Sequence, residues 1–124
     1  MIRVMIVDDQ EPMRRMVKKL LDGQMGFSVV AEACSGDEAL RIVDDVAPDL
    51  VLIDVQMPGM NGFEAAAKML ECMPGLRVAL ASMDGNAEYP RMALELGAIG
   101  FVKKSDLTAD ALNGMLNGAT RRES

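Results

Sequence analysis

The sequence predicts an α/β fold, a parallel β-sheet with helices on both faces. Two observations carry this. Five short apolar runs alternate strictly with five longer segments of helical character. The first and third runs are nearly continuous in Val, Ile, Leu and Met, the signature of strands buried on both faces. Short connections then imply right-handed crossovers.

The strand runs are 2–7 (IRVMIV), 27–33 (FSVVAEA), 50–53 (LVLI), 77–81 (RVALA) and 99–102 (IGFV). Between the first two, Pro12 suits a first helical turn, and Met13, Met16, Val17, Leu20 and Leu21 form one apolar stripe ending before Gly23. Ser35 is placed to cap the second helix with Glu38 completing a capping box, and Pro48 follows its end. Gly62 opens the third helix and Pro74-Gly75 stops it. Pro90 opens a fourth of about two turns, closed by Gly97. Ser105 or Asp106 is placed to cap the fifth, which runs to about Ala119, and the polar tail at 121–124 is expected to fray.

The totals exclude several classes. The chain has 124 residues, enough for one domain with a real core. Aromatics are 3% of it, so its 12 Met, with Ala, Leu and Val, are expected to fill the interior. A net charge of −6 argues against a nucleic-acid-binding face, which needs a basic excess. No apolar run approaches the ~18 residues of a membrane span, and the apolar start is too short for a signal peptide. Cys34 and Cys72 lack metal-type spacing and read as reduced thiols of a cytoplasmic protein. The absence of His removes Ser-His-Asp and Cys-His catalysis and the common zinc sites.

What remains is oxygen-ligand chemistry, and the strand ends supply it. Asp8 and Asp9 follow the first run, Asp54 the third and Ser82 the fourth, while Lys103 or Lys104 follows the fifth. In a parallel α/β sheet, residues just past the carboxyl ends of strands share one crevice. Two carboxylates ~4 Å apart repel by about 4 kcal/mol at an effective dielectric near 20. Three in one crevice therefore either take up a proton or hold a cation. Mg²⁺ suits carboxylates, waters and a phosphate oxygen. The loop after the first strand, DDQE, lacks the glycines that cradle nucleotide phosphates. Asp54 sits in DVQMPGMNG, presented on a short turn where a carboxylate beside a metal can act as a nucleophile. The hydroxyl and the ammonium can then bind phosphoryl oxygens.

These residues resemble the receiver domain of bacterial two-component response regulators over essentially the whole chain. The likeness rests on Asp8-Asp9, the D-x-x-M-P-x-M-N-G segment at 54–62, Ser82, and GFVKK at 100–104. It resembles stand-alone chemotaxis-type receivers and, through VVAEACSGDEAL and GAIGFVKKSDL, the receivers of LuxR-type regulators. The resemblance implies a flavodoxin-like (βα)5 three-layer sandwich with sheet order 2-1-3-4-5 over residues 1–120. It implies that Asp54 accepts a phosphoryl group from a sensor histidine kinase, a histidine phosphotransfer protein or acetyl phosphate. Mg²⁺ (or Mn²⁺) would be held by Asp9, Asp54 and the backbone carbonyl of Gln56, with Asp8 acting mainly through water. The aromatic-x-x-Lys pattern makes Phe101 the switch aromatic and Lys104 the site lysine, with Ser82 as the switch hydroxyl. The implied output is a change in the helix 4–strand 5–helix 5 face that controls a downstream protein target or an output domain. The same face is open to homodimer formation.

Several positions depart from the family pattern. Met83 follows the switch serine where a small residue is usual, and its bulk is expected to narrow access to Asp54. Gln56 and Asp84 hold positions that tune dephosphorylation in the family. Phe101 lacks the hydroxyl of the commoner Tyr, Ser105 replaces a frequent Pro, and Pro90 shortens the start of helix 4. A haloacid-dehalogenase-type phosphatase also uses a strand-end Asp and Mg²⁺ but wants Asp-x-Asp, whereas Gln56 stands two beyond Asp54. A binding-only receiver that switches without phosphate is the other alternative. The chain ends one helix after the fifth strand, and a stand-alone receiver is expected over an excised piece of a longer regulator.

Overall fold

A computed structural model describes residues 1–123, with side chains through residue 118; of the tail at 121–124 expected to fray, residues 121–123 continue the last helix past Ala119, and Ser124 lies outside the described residues. Five strands, β1 (Ile2–Val7), β2 (Phe27–Ala33), β3 (Leu50–Asp54), β4 (Arg77–Ser82) and β5 (Gly100–Lys103), form one sheet in the order β2-β1-β3-β4-β5. All four pairings are parallel. The connecting helices are α1 (Glu11–Leu21), α2 (Gly36–Val46), α3 (Gly62–Cys72) and α4 (Tyr89–Glu95), and α5 (Ala109–Glu123) closes the chain. This is the flavodoxin-like three-layer sandwich that the resemblance implied.

Strand alternation explains both layers. Side chains one apart point to opposite faces of a strand. Met5 and Val7, Val51 and Ile53, and Val78 and Leu80 face one side, where they meet Ala39 and Val43 of α2, Ala65, Ala66 and Met69 of α3, and Ala93 of α4. Val4 and Ile6, Leu50 and Leu52, and Ala79 and Ala81 face the other, against Val17 and Leu21 of α1 and Leu112 and Leu116 of α5. Both faces are covered, so the central strands need apolar residues at every position.

The helix starts follow local hydrogen bonding. The Ser35 hydroxyl accepts from the Glu38 N–H at 3.1 Å, and the Glu38 carboxylate accepts from the Cys34 N–H at 2.8 Å. Asn61 caps α3 by accepting from the Glu64 N–H at 2.9 Å. α4 has seven residues, with Pro90 in its first turn, and Gly97 beyond its end has φ +100°.

Three sequence expectations need correction. The α1 stripe is narrower than its five residues suggest: Val17 and Leu21, four apart, reach the core, while Met16 and Leu20 are 40% and 37% exposed. They lie one residue earlier, about 100° around the helix. α5 is not capped by Ser105 or Asp106. Those residues sit in a 3₁₀ turn (Lys104–Asp106) that lets Leu107 reach the core, and Thr108 caps the helix by accepting from the Ala111 N–H at 3.0 Å. Finally, of the 12 Met only Met5, Met57 and Met69 are buried, and branched aliphatic residues and Ala supply most of the core. Both cysteines are exposed free thiols. Among the described residues, no helix is long and apolar enough to cross a membrane.

Candidate phosphoryl-acceptor site

The carboxyl edge of the sheet gathers the predicted residues. Asp8 and Asp9 follow the last residue of β1, Asp54 is the last residue of β3, and Ser82 is the last of β4. Carboxylate oxygens of Asp8, Asp9 and Asp54 all lie within 4.8 Å of one another. Asp8 and Asp54 are buried, and Asp9 is the most open of the three. This all-oxygen donor set fits a hard divalent cation such as Mg²⁺.

A lysine lies across two of the acids. Alternation along β5 left Lys103 and Lys104 both open, and the family pattern favoured Lys104. Lys103 ends β5 and is exposed, whereas the 3₁₀ turn carries Lys104 inward, where it is 8% exposed. Its Nζ donates to Asp8 Oδ2 at 2.7 Å and lies 3.4 Å from Asp54 Oδ1.

Burial pushes the Asp54 carboxyl above its ordinary value; the Lys104 ammonium opposes this, and the Asp8 charge adds to it. The folded state therefore holds this proton more tightly than the unfolded chain. Stability from this group falls as pH rises from the ordinary value of 3.8 through the raised folded value, then stays level. Urea denaturation in chelator should show this fall in wild type. Asp54→Asn should flatten it and be the more stable protein above that window.

The acceptor turn is clamped from behind. The Val55 N–H donates to the Ala81 carbonyl at 2.9 Å, and the Gly62 N–H donates to the Val55 carbonyl at 2.9 Å. A Cβ on Gly62 would lie 2.2 Å from the Asp54 carbonyl oxygen, so the start of α3 packs directly on the acceptor's backbone. Gln56 is exposed, and its backbone favours the ionised form of the Asp54 carboxyl, against the larger effect of burial.

On the β4 side, the buried Ser82 hydroxyl accepts from the Asp84 N–H at 3.1 Å. Met83 is 62% exposed. It lines a groove with Met13, Met16 and Leu20 that reaches Lys104. Asp84 is exposed.

Phe101 is half-buried and packs edge-on against Tyr89, with ring centroids 5.5 Å apart; Tyr89 in turn packs on Phe63 at 5.4 Å. Sequence reasoning missed this cluster. Residues 63, 89 and 101 share no motif, and only the fold brings α3, α4 and β5 together. It also missed Arg14, whose Nη1 donates to the Asp8 carbonyl at 2.7 Å.

Comparison with known proteins agrees with the geometry. Residues 4–116 match the family model of the response regulator receiver domain. The response regulator GacA of Pseudomonas viridiflava is 38% identical over 104 residues, covering 84% of this chain and 49% of GacA. Protein-glutamate methylesterase/protein-glutamine glutaminase 2 of Caulobacter vibrioides is 42% identical over 115 residues, covering 91% of this chain and 32% of that protein. The chain thus spans about half the length of the one and a third of the other. A LuxR-family two-component response regulator from Aurantimonas sp. SI85-9A1 superposes with a TM-score of 0.86 at 30% identity, covering 96% of this chain and 85% of that one. A family-model match over nearly the whole chain, on a fold that gathers the family's acidic residues at one sheet edge, places this protein among the receiver domains of two-component response regulators.

Proposed function

We propose that Asp54 is the phospho-acceptor and that residues 1–120 act as a phosphorylation-controlled switch. The observation that carries this is the three-carboxylate cluster with the Lys104 ammonium lying across two of its members. A carboxylate oxygen of Asp54 attacks phosphorus in a phosphohistidine. The P–N bond breaks, and the imidazole leaves with the electron pair and takes up a proton. The donor is a sensor histidine kinase or a histidine phosphotransfer protein, and acetyl phosphate serves in its place. Asp9, Asp54 and the Gln56 carbonyl would hold Mg²⁺ (or Mn²⁺), with Asp8 acting through water, and the ion would supply charge neutralisation for the phosphoryl oxygens.

Lys104 turns from Asp8 toward a phosphoryl oxygen. Ser82 exchanges the Asp84 N–H for the phosphoryl group, and Phe101 moves into the space it leaves. Gln56, Met83 and Asp84 flank the acceptor and set the rates at which it is loaded and hydrolysed. The chain catalyses only its own phosphorylation and dephosphorylation. Its output is the α4–β5–α5 face, read by a downstream protein or an output domain in the cytoplasm. That face also serves for homodimer contact. With a net charge of −6 the chain itself does not bind nucleic acid.

The test is intact mass after incubation with Mg²⁺ and acetyl phosphate. One phosphoryl group is expected on wild type, and none on Asp54→Asn or without divalent cation. A phosphoryl group retained by Asp54→Asn overturns the assignment. The switch has its own readout, because the chain has one Tyr and no Trp. Tyr89 touches Phe101, so its emission should change with beryllofluoride in wild type and stay constant in Ser82→Ala. The same change in Ser82→Ala would disprove the coupling.

A further inference from the structure

We infer that Arg14 is a positioning residue for divalent-cation binding, acting on Asp9 through the peptide bond between Asp8 and Asp9. This rests on the reading that the acidic cluster holds Mg²⁺. Arg14 projects from α1 with its side chain 16% exposed. Its Nη1 donates to the Asp8 carbonyl at 2.7 Å, and its Nε donates to Glu32 Oε1 at 3.3 Å. The carbonyl it holds belongs to the peptide that leads into Asp9.

Asp8 is otherwise fixed on every side. Its N–H donates to the Ala33 carbonyl at 3.1 Å, Oδ1 accepts from the Gln10 N–H at 2.9 Å, and Oδ2 accepts from Lys104. Of those bonds only the one from Gln10 spans the following peptide, and none is made to that peptide's own oxygen. A charge-assisted bond to its oxygen, from a planar guanidinium braced on β2 by Glu32, sets that plane. The direction in which Asp9 offers its carboxylate follows from it. The Glu32 contact alone would matter little, because an ion pair whose carboxylate is open to solvent is weak.

The sign of the effect separates positioning from simple charge. Arg14 is a cation beside a cation site, so by electrostatics alone its removal should tighten binding. By positioning, its removal should weaken binding. Partners that orient metal ligands typically cost tenfold or more in affinity when lost.

The experiment is Mn²⁺ titration followed by the EPR signal of the free ion, with Mg²⁺ competition, beside thermal melting in chelator. Arg14→Gln is expected to bind about tenfold more weakly. Its acetyl-phosphate rate should recover at saturating Mg²⁺, which a general loss of structure would not allow. Unchanged or tighter binding overturns the inference, as does an equal loss in Glu32→Gln, which breaks the ion pair but leaves the bond to Asp8. Should Arg14→Gln not fold, Arg14→Lys substitutes. A freely rotating ammonium does not fix the direction of its bond to the Asp8 carbonyl as a planar guanidinium does, so binding should still weaken, and wild-type affinity there overturns the inference. Failure of wild type to bind Mn²⁺ would instead remove the metal reading itself.

Discussion

Lys104→Met is expected to destabilise the protein by about 3 kcal/mol at neutral pH in chelator, and to make it bind Mg²⁺ more tightly than wild type. The side chains of Lys104, Asp8 and Asp54 are 6%, 4% and 8% exposed, so removing the ammonium leaves two buried carboxylates facing each other. Breaking a buried pair by deleting one partner typically costs 3–5 kcal/mol. The lower end applies here because either acid can relieve the repulsion by taking a proton. In a chain of this size the loss is about 10 °C in Tm. It should shrink as pH falls, since protonation removes the unpaired charge.

Divalent cation should reverse most of the loss. In wild type, Mg²⁺ must compete with an ammonium 2.7 Å from one carboxylate oxygen, and in Lys104→Met it does not. Saturation at 100 times Kd stabilises by about 2.7 kcal/mol, close to the deficit. Differential scanning calorimetry with and without Mg²⁺ checks both halves. A variant that melts with wild type in chelator would mean that Lys104 does not hold the acids together. One stabilised less than wild type by Mg²⁺ would mean that it does not compete with the ion.

Such a cluster was legible because strand periodicity and sheet topology act at long range in simple ways. Asp9, Asp54 and Ser82 lie far apart in sequence, yet each follows an apolar run, and a parallel sheet brings such ends to one edge. Lys104 was less legible. Alternation along β5 allows Lys103 as readily, and what decides is the 3₁₀ turn after the strand, which carries Lys104 inward. The α1 stripe misled for a related reason. An apolar stripe marks one face of a helix but not how much of that face the sheet can cover, and Met16 and Leu20 fall at its margin. Arg14 was invisible because its bond is to a backbone carbonyl, which every residue has.

Gly62→Ala should be among the most damaging single-methyl additions to this protein, although it lies in a helix. By helix propensity alone Ala is favoured over Gly by about 1 kcal/mol in a helix interior. At Gly62 the added carbon would lie 2.2 Å from the Asp54 carbonyl oxygen, 2.8 Å from its carbonyl carbon and 2.9 Å from Val55 Cα. All three are backbone atoms of the acceptor turn, so no side chain can swing away. Either α3 lifts off the sheet or the Asp54 peptide moves. The first breaks the bond from the Gly62 N–H to the Val55 carbonyl, and the second displaces the nucleophile from the other two acids. Overpacking of this kind costs 1–3 kcal/mol when side chains can adjust. Against backbone, the expected loss is about 3 kcal/mol or more. Gly114→Ala supplies the contrast: it lies within α5, and an added Cβ there meets nothing within 4 Å. It should stabilise by up to about 1 kcal/mol. Urea midpoints moving in opposite directions for the two variants, with Mg²⁺ affinity reduced only in Gly62→Ala, would show that α3 seats the acceptor by backbone contact. A Gly62→Ala protein of wild-type stability and affinity would show that the turn has slack, and the closeness of α3 would then have no part in placing Asp54.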